Sequence, residues 1–165
     1  MTSEVILVAR VHVLPEELDN NISDTLFASL QERKQEFNSR ENGSVIEILK
    51  VLEYTNQVPS SGIVVFLVTF SATAFLPEKG KELDATVERV ISVGIVCCFF
   101  GVRIWIHGEE LLGYHWDDNT FCGSNGRVCV GDTMRVQIST IRYEKKIFSC
   151  IGSLVPEPGV LQLKE

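Results

Sequence analysis

Cysteine is sparse in this chain and shows no pairing pattern: five occur in 165 residues, and no two are spaced CxxC. Cys97 and Cys98 are adjacent, and neighbours along a strand face opposite sides, so these two cannot share a metal. The pattern predicts reduced thiols and argues against a disulfide framework or a zinc site. Long apolar runs are also missing. The most apolar window, residues 63–70, falls far short of the ~20 residues that a membrane-spanning helix needs. The opening Met1-Thr2-Ser3-Glu4 is acidic where a secretory signal is basic, so an intracellular chain with no membrane attachment is expected. Histidine is limited to His12, His107 and His115, none of them in a motif for nucleophilic catalysis. GxSxG, the P-loop, the dinucleotide fingerprint and HExxH are all absent. His115, Asp117, Asp118 and Cys122 gather in one segment, but a lone cluster of this kind is ordinarily a set of solvated loop groups. A non-enzyme with no catalytic residue, no metal and no cofactor is the expectation. Basic charge is short as well: 15 Lys and Arg face 22 Asp and Glu, for a net charge of −7. Such a chain is not built as a general phosphate binder, and any nucleic-acid role must be local or supported by a partner.

What remains is ordinary globular composition, 45% apolar and 22% charged, which sets aside disordered, collagen-like and coiled-coil classes. Residues 4–14 alternate, with Val5, Leu7, Ala9, Val11 and Val13 on one side, and predict a strand ended by Pro15. Asp19, Asn20 and Asn21 offer N-caps to a helix whose Ile22, Leu26, Phe27 and Leu30 share one face. After a breaker cluster at 38–43, residues 45–54 predict a strand with Ile46, Ile48, Leu52 and Tyr54 in register. Residues 57–62 read as a loop. Residues 63–75 read as a strand buried on both faces for much of its length. The first part of the chain, 1–76, is therefore expected to run β-α-β-β. The joint falls at Leu76-Pro77-Glu78-Lys79-Gly80.

From 77 to 165 the pattern changes to short strands and turns, expected at 82–93, 95–100, 102–107, 134–143 and 146–152. Five strands in this length suggest an OB-type barrel. Residues 111–131 read as one long loop with a little local structure, and loops of that length are often functional. The fold class expected is α+β, mostly β. Trp105 alternates with Ile104 and Ile106; if those two fill the barrel, Trp105 is external and suggests a partner contact.

Certain stretches carry a resemblance. They are Gly62-Ile63-Val64-Val65-Phe66-Leu67-Val68-Thr69-Phe70 with Phe75-Leu76-Pro77 and Gly80, then Val87-x-x-Val90-x-x-Val93-Gly94, then Gly131-Asp132-Thr133-Met134-Arg135-Val136-Gln137-Ile138, and finally Ile147-Phe148-x-x-Ile151-Gly152-Ser153-Leu154. Trp116-Asp117-Asp118 falls where the family often has an acidic pair. In this order they resemble the large stalk subunit of multisubunit DNA-directed RNA polymerases, the seventh subunit of the eukaryotic enzyme and its archaeal counterpart. The resemblance covers nearly the whole chain and is divergent, so a cellular or a viral polymerase fits it. It implies an N-terminal tip domain that plugs into the polymerase core beside the clamp, followed by an S1-type OB domain near emerging RNA. A smaller stalk subunit would bind along both.

Residue by residue, the resemblance implies docking on the core through Val58, Pro59, Ser60, Ser61 and Gly62. His107 matches the S1 histidine, and Lys146 the basic residue before the last strand. Arg142 stands where many S1 domains carry an acid. Arg103, Arg142, Lys145 and Lys146 are the cations expected beside an RNA path, together with His107. The aromatics of the first S1 hairpin are replaced by Val93 and Val96 around Gly94, so only weak contact with nascent single-stranded RNA is expected. A mean hydropathy of +0.14 fits a chain that buries apolar surface against partners. The resemblance implies the nucleus for a cellular eukaryotic subunit, and a virion or cytoplasmic viral factory for a viral one. The competing expectation is a free-standing S1-type RNA-binding factor of translation or RNA decay, which has no need of residues 1–76.

Overall fold

The computed structural model describes residues 2–19, 21–57, 63–111, 113–123 and 126–155. The chain is mostly β and divides into two compact units, Met1–Leu76 and Pro77–Glu165. No helix among the described residues is long and apolar enough to cross a membrane.

The first unit contains strand β1 (Thr2–Val13), helix α1 (Ile22–Glu32) and strands β2 (Ser44–Gln57) and β3 (Val64–Phe75). The strands form an antiparallel sheet in the order β1-β3-β2. β1 has the period-2 pattern of a half-buried strand: Ala9, Val11 and Val13 are buried, while Ile6, Val8, Arg10 and His12 are exposed. Asn21 caps α1, its side-chain oxygen accepting from the Ser23 amide at 3.1 Å. Leu26 and Leu30, one turn apart, lie fully buried in the core that β1 and β3 supply with Val11, Val13, Phe66, Val68 and Phe70. Burial of each leucine contributes about 2 kcal/mol.

The strand expected at 45–54 forms, but its inward face differs from the alternation read above. Its pairing with β3 shifts register between Val45 and Glu47, between Ile48 and Lys50, and between Val51 and Glu53. Each shift inserts one unpaired residue, namely Ile46, Leu49 and Leu52. Inward positions therefore recur every third residue. Val45 and Ile48 are buried and Val51 is half-buried, whereas Leu52 is exposed. Tyr54 keeps partial cover by meeting Phe66 edge-on at 5.7 Å. The turn into β2 is held by buried Asn38, which accepts the Val45 amide at 2.8 Å. It also needs Gly43, whose φ is 94° and where a Cβ would collide with the Phe75 carbonyl oxygen.

The second unit contains a closed barrel of β4 (Glu82–Ile91), β5 (Gly94–Phe99), β6 (Val102–His107), β10 (Thr133–Glu144) and β11 (Ile147–Leu154). The strands close in the order β10-β11-β6-β5-β4, with β4 returning to pair β10. β11 and β6 are parallel; every other pair in the ring is antiparallel. This is an OB-like barrel. Its interior is filled by Leu83, Ala85, Val87, Ile95, Cys97, Ile104, Ile106, Val136, Ile138 and Phe148, all buried.

Within the segment expected to be a long loop with a little local structure, that structure is a sheet. Strands β7 (His115–Asp117), β8 (Thr120–Gly123) and β9 (Gly126–Arg127) form a small antiparallel sheet. Asp118 and Asn119 make its first turn with φ of 51° and 63°, the left-handed pair of a tight hairpin that Asn and Asp tolerate. Phe121 anchors the sheet, buried with its ring 3.2 Å from where Gly108 would carry a Cβ.

Candidate nucleic-acid interface

β6 reads Val-Arg-Ile-Trp-Ile-His, and its alternation is strict. Ile104 and Ile106 are fully buried inside the barrel, which turns Arg103, Trp105 and His107 outward. The neighbouring strands add to that outer wall through their register. Arg142 of β10 pairs Ser149 of β11, Ser149 pairs Arg103 of β6, and Arg103 pairs Cys98 of β5. One row therefore runs Arg142–Ser149–Arg103–Cys98, with the two arginines about 10 Å apart by strand spacing. The next row runs Thr140–Ile151–Trp105–Val96. Trp105 is half-buried and meets His107 edge-on at 5.4 Å.

Both arginines meet carboxylates. Arg103 lies 3.2 Å from Glu88, and Arg142 lies 2.9 Å from Glu144. All four side chains are well exposed, so each pair contributes less than about 1 kcal/mol. A phosphate can replace either carboxylate at small cost.

Lys145 and Lys146 form the β10–β11 turn, with φ of 51° and 62°. Because β11 runs parallel to β6, this turn shares a barrel end with the Phe100–Gly101 turn between β5 and β6. Phe100 is 58% exposed in a left-handed conformation, an unusual position for an aromatic residue. His107 pairs Gly94 at the opposite end of β6. The five residues expected along an RNA path thus separate: Arg103 and Arg142 share a row, Lys145 and Lys146 sit at one end, and His107 sits at the other. Phe100 was missed because the apolar run 95–100 absorbs it, although Phe100-Gly101 between two strands carries a hairpin signal. Val58, Pro59, Ser60, Ser61 and Gly62 lie outside the described residues.

Among the described residues no group of three or more His, Cys, Asp or Glu is arranged to hold a metal ion. The cluster at 115–122 has other local partners. The Asp118 carboxylate meets Arg127 at 3.3 Å, and the Cys122 thiol donates to the Asp117 carbonyl at 3.7 Å.

Cys97 and Cys150 flank Ile104 inside the barrel. Burial pushes the Cys97 thiol up to about 12, helped by neighbouring Cys98, and burial raises Cys150 to about 11. Both are therefore protonated and unreactive at neutral pH. Thiol labelling of the native protein at pH 8 should modify exposed Cys129 first and leave Cys97 and Cys150 untouched until the protein unfolds; mass spectrometry reads the sites. The same elevated values set a pH dependence. The folded state holds these protons more tightly than the unfolded chain, whose thiols titrate near 9. Their contribution is fully present below pH 9 and is lost as pH climbs through about 11 for Cys150 and about 12 for Cys97.

No family model matches the sequence, and no curated protein matches it. Among solved structures, an uncharacterized protein from Methanocaldococcus jannaschii is similar at 21% identity. The match covers 48% of this chain and 95% of that one with a TM-score of 0.38, too loose a likeness to carry an argument.

Proposed function

We propose that this chain is a non-catalytic stalk subunit of a DNA-directed RNA polymerase. In this reading the first unit, running β-α-β-β, is the tip domain that docks on the polymerase core. The barrel is an S1-type OB domain that touches nascent RNA, and a smaller stalk subunit binds the pair. The observation that carries the reading is the outer face of the first unit's sheet. An RNA-binding barrel has no need of that sheet, yet it presents Ile6 at 68% and Val8 at 59% exposure on one strand. Adjacent apolar side chains held this open suit burial against protein. The arginine row on the barrel wall supports the second half of the reading, because two cations with an aromatic beneath them are what a single strand needs for phosphate and base contact.

The test is purification of the tagged full chain from its native source, with identification of what accompanies it. Polymerase large subunits and a small partner are expected, and an Ile6→Asp/Val8→Asp variant should lose the small partner, the core, or both while keeping its circular dichroism. Recovery of translation or decay factors in place of polymerase would favour a free-standing S1-type factor. A salt series tests the barrel wall. Replacing Arg103 and Arg142 with Ala should flatten the dependence of single-strand affinity on salt by about 0.7 per lost phosphate contact. An unchanged slope would leave both as ordinary surface charge.

A further inference from the structure

Beside His107 the barrel wall opens into a groove of about 610 Å³, within the range of small-ligand sites. Three separate segments line it. The β4–β5 turn gives Val93, the end of β6 and the turn after it give His107 and Glu109, and the β7–β8 hairpin with the residue before it gives Tyr114, His115 and Trp116. Two of the chain's three histidines and one of its two tryptophans therefore line a single concavity.

The walls are braced. The Gly108 amide donates to the Val93 carbonyl at 2.9 Å, tying the β6 end to the β4–β5 turn. Trp116 stands edge-to-face on buried Phe121 at 5.1 Å and is 38% exposed. The Tyr114 ring has one edge 2.9 Å from where Gly123 would carry a Cβ, so it packs closely against that backbone. Aromatic side chains fixed before a ligand arrives lose little freedom on binding.

We infer that this groove takes one unpaired guanine of a single strand, stacked on Trp116 with its Watson–Crick edge toward Glu109. The inference rests on reading the barrel wall as a single-strand surface, and it adds base identity to that reading. The first hairpin lacks stacking aromatics, since Val93 and Val96 stand there, and the β7–β8 hairpin supplies them from the other side. A carboxylate only accepts hydrogen bonds. Guanine alone among the four bases presents two adjacent donors, N1–H and N2–H, to both carboxylate oxygens. Adenine and cytosine place a ring acceptor beside their one amino group, and uracil places its single N–H between two carbonyls; each sets a lone pair against the carboxylate. The strand then has a path onward. Arg103 lies four residues from His107 on the same outer face, about 13 Å along β6, where it can take a phosphate. A nucleoside monophosphate is shorter than that distance.

The experiment is fluorescence anisotropy of the full chain with labelled UUGUUU, UUAUUU and UUUUUU RNAs, with unlabelled GMP as competitor. UUGUUU should bind about tenfold more tightly than the other two. Glu109→Gln should shrink that preference several-fold while retaining some affinity for all three. Trp116→Ala should weaken UUGUUU about tenfold, and Trp116→Phe should recover most of it. GMP should compete at least about a hundredfold less well than UUGUUU, because it reaches no second cation.

Equal binding of the three RNAs, or a guanine preference untouched by Glu109→Gln, overturns the inference while leaving the single-strand reading standing. GMP competing as well as UUGUUU would make this a free-nucleotide site, which also overturns it. No binding of any RNA removes both readings of the barrel wall. Failure to recover polymerase subunits bears on neither result.

Discussion

Phe70→Ala should cost about 3–5 kcal/mol of unfolding free energy, the largest loss expected from a single side chain in the first unit. Phe70 is fully buried in the central strand of a three-stranded sheet. Its pairing partners are Leu7 on one side and Val51 on the other. Phe37, in the short turn after α1, meets its ring at 5.1 Å. Truncation removes the ring's transfer free energy and leaves a cavity that sheet hydrogen bonding prevents from collapsing. Urea unfolding followed by circular dichroism measures it. A loss below about 1 kcal/mol would mean that this core repacks freely, contrary to the close packing of protein interiors.

Gly94→Val is the matching experiment in the barrel. A Cβ at Gly94 would collide with the Ile106 carbonyl oxygen and stand 3.0 Å from the indole ring of Trp105. The carbonyl belongs to the paired strand and cannot move without opening the β5–β6 ladder. The indole occupies the room that the missing side chain leaves. The substitution should therefore cost about 3 kcal/mol, at the upper end for overpacking, and should displace Trp105. Unfolding measures the first effect. Emission of Trp105, in a Trp116→Phe background that makes it the sole tryptophan, measures the second. An unshifted emission maximum would show that Trp105 does not depend on Gly94 for its seat.

Side-chain direction was legible wherever a strand keeps its period. β6 is the clearest case: Ile104 and Ile106 are inside, and Arg103, Trp105 and His107 are outside, as alternation requires. β2 was not legible in that way. Its three inserted residues convert a period of two into a period of three, and nothing in Val45-Ile46-Glu47-Ile48-Leu49 marks which apolar residue is the extra one. The local structure expected at 111–131 could not be divided into strands from the sequence, because strands of two to four residues carry almost no periodic signal. Proximity across strands was hidden for another reason. Arg103 and Arg142 are far apart in the chain and meet in one row only through β11, whose parallel pairing with β6 is a property of barrel closure. Glu88 reaches Arg103 from a strand that shifts register between Val87 and Arg89, which no local pattern announces.

The barrel and the sheet of the first unit differ in how they end. The barrel closes on itself and exposes no strand flank. The first unit's three-stranded sheet stops at β1 on one side and β2 on the other. β2 is irregular along its length, and its three inserted residues make it a poor template for a straight neighbour. β1 runs twelve residues without such interruption, and Arg33 covers one of its carbonyls by donating to Arg10. An added chain would therefore zip onto β1 in preference to β2. During recombinant production that flank is where misassembly between copies would start, and a lysine or proline set there is the first remedy to try.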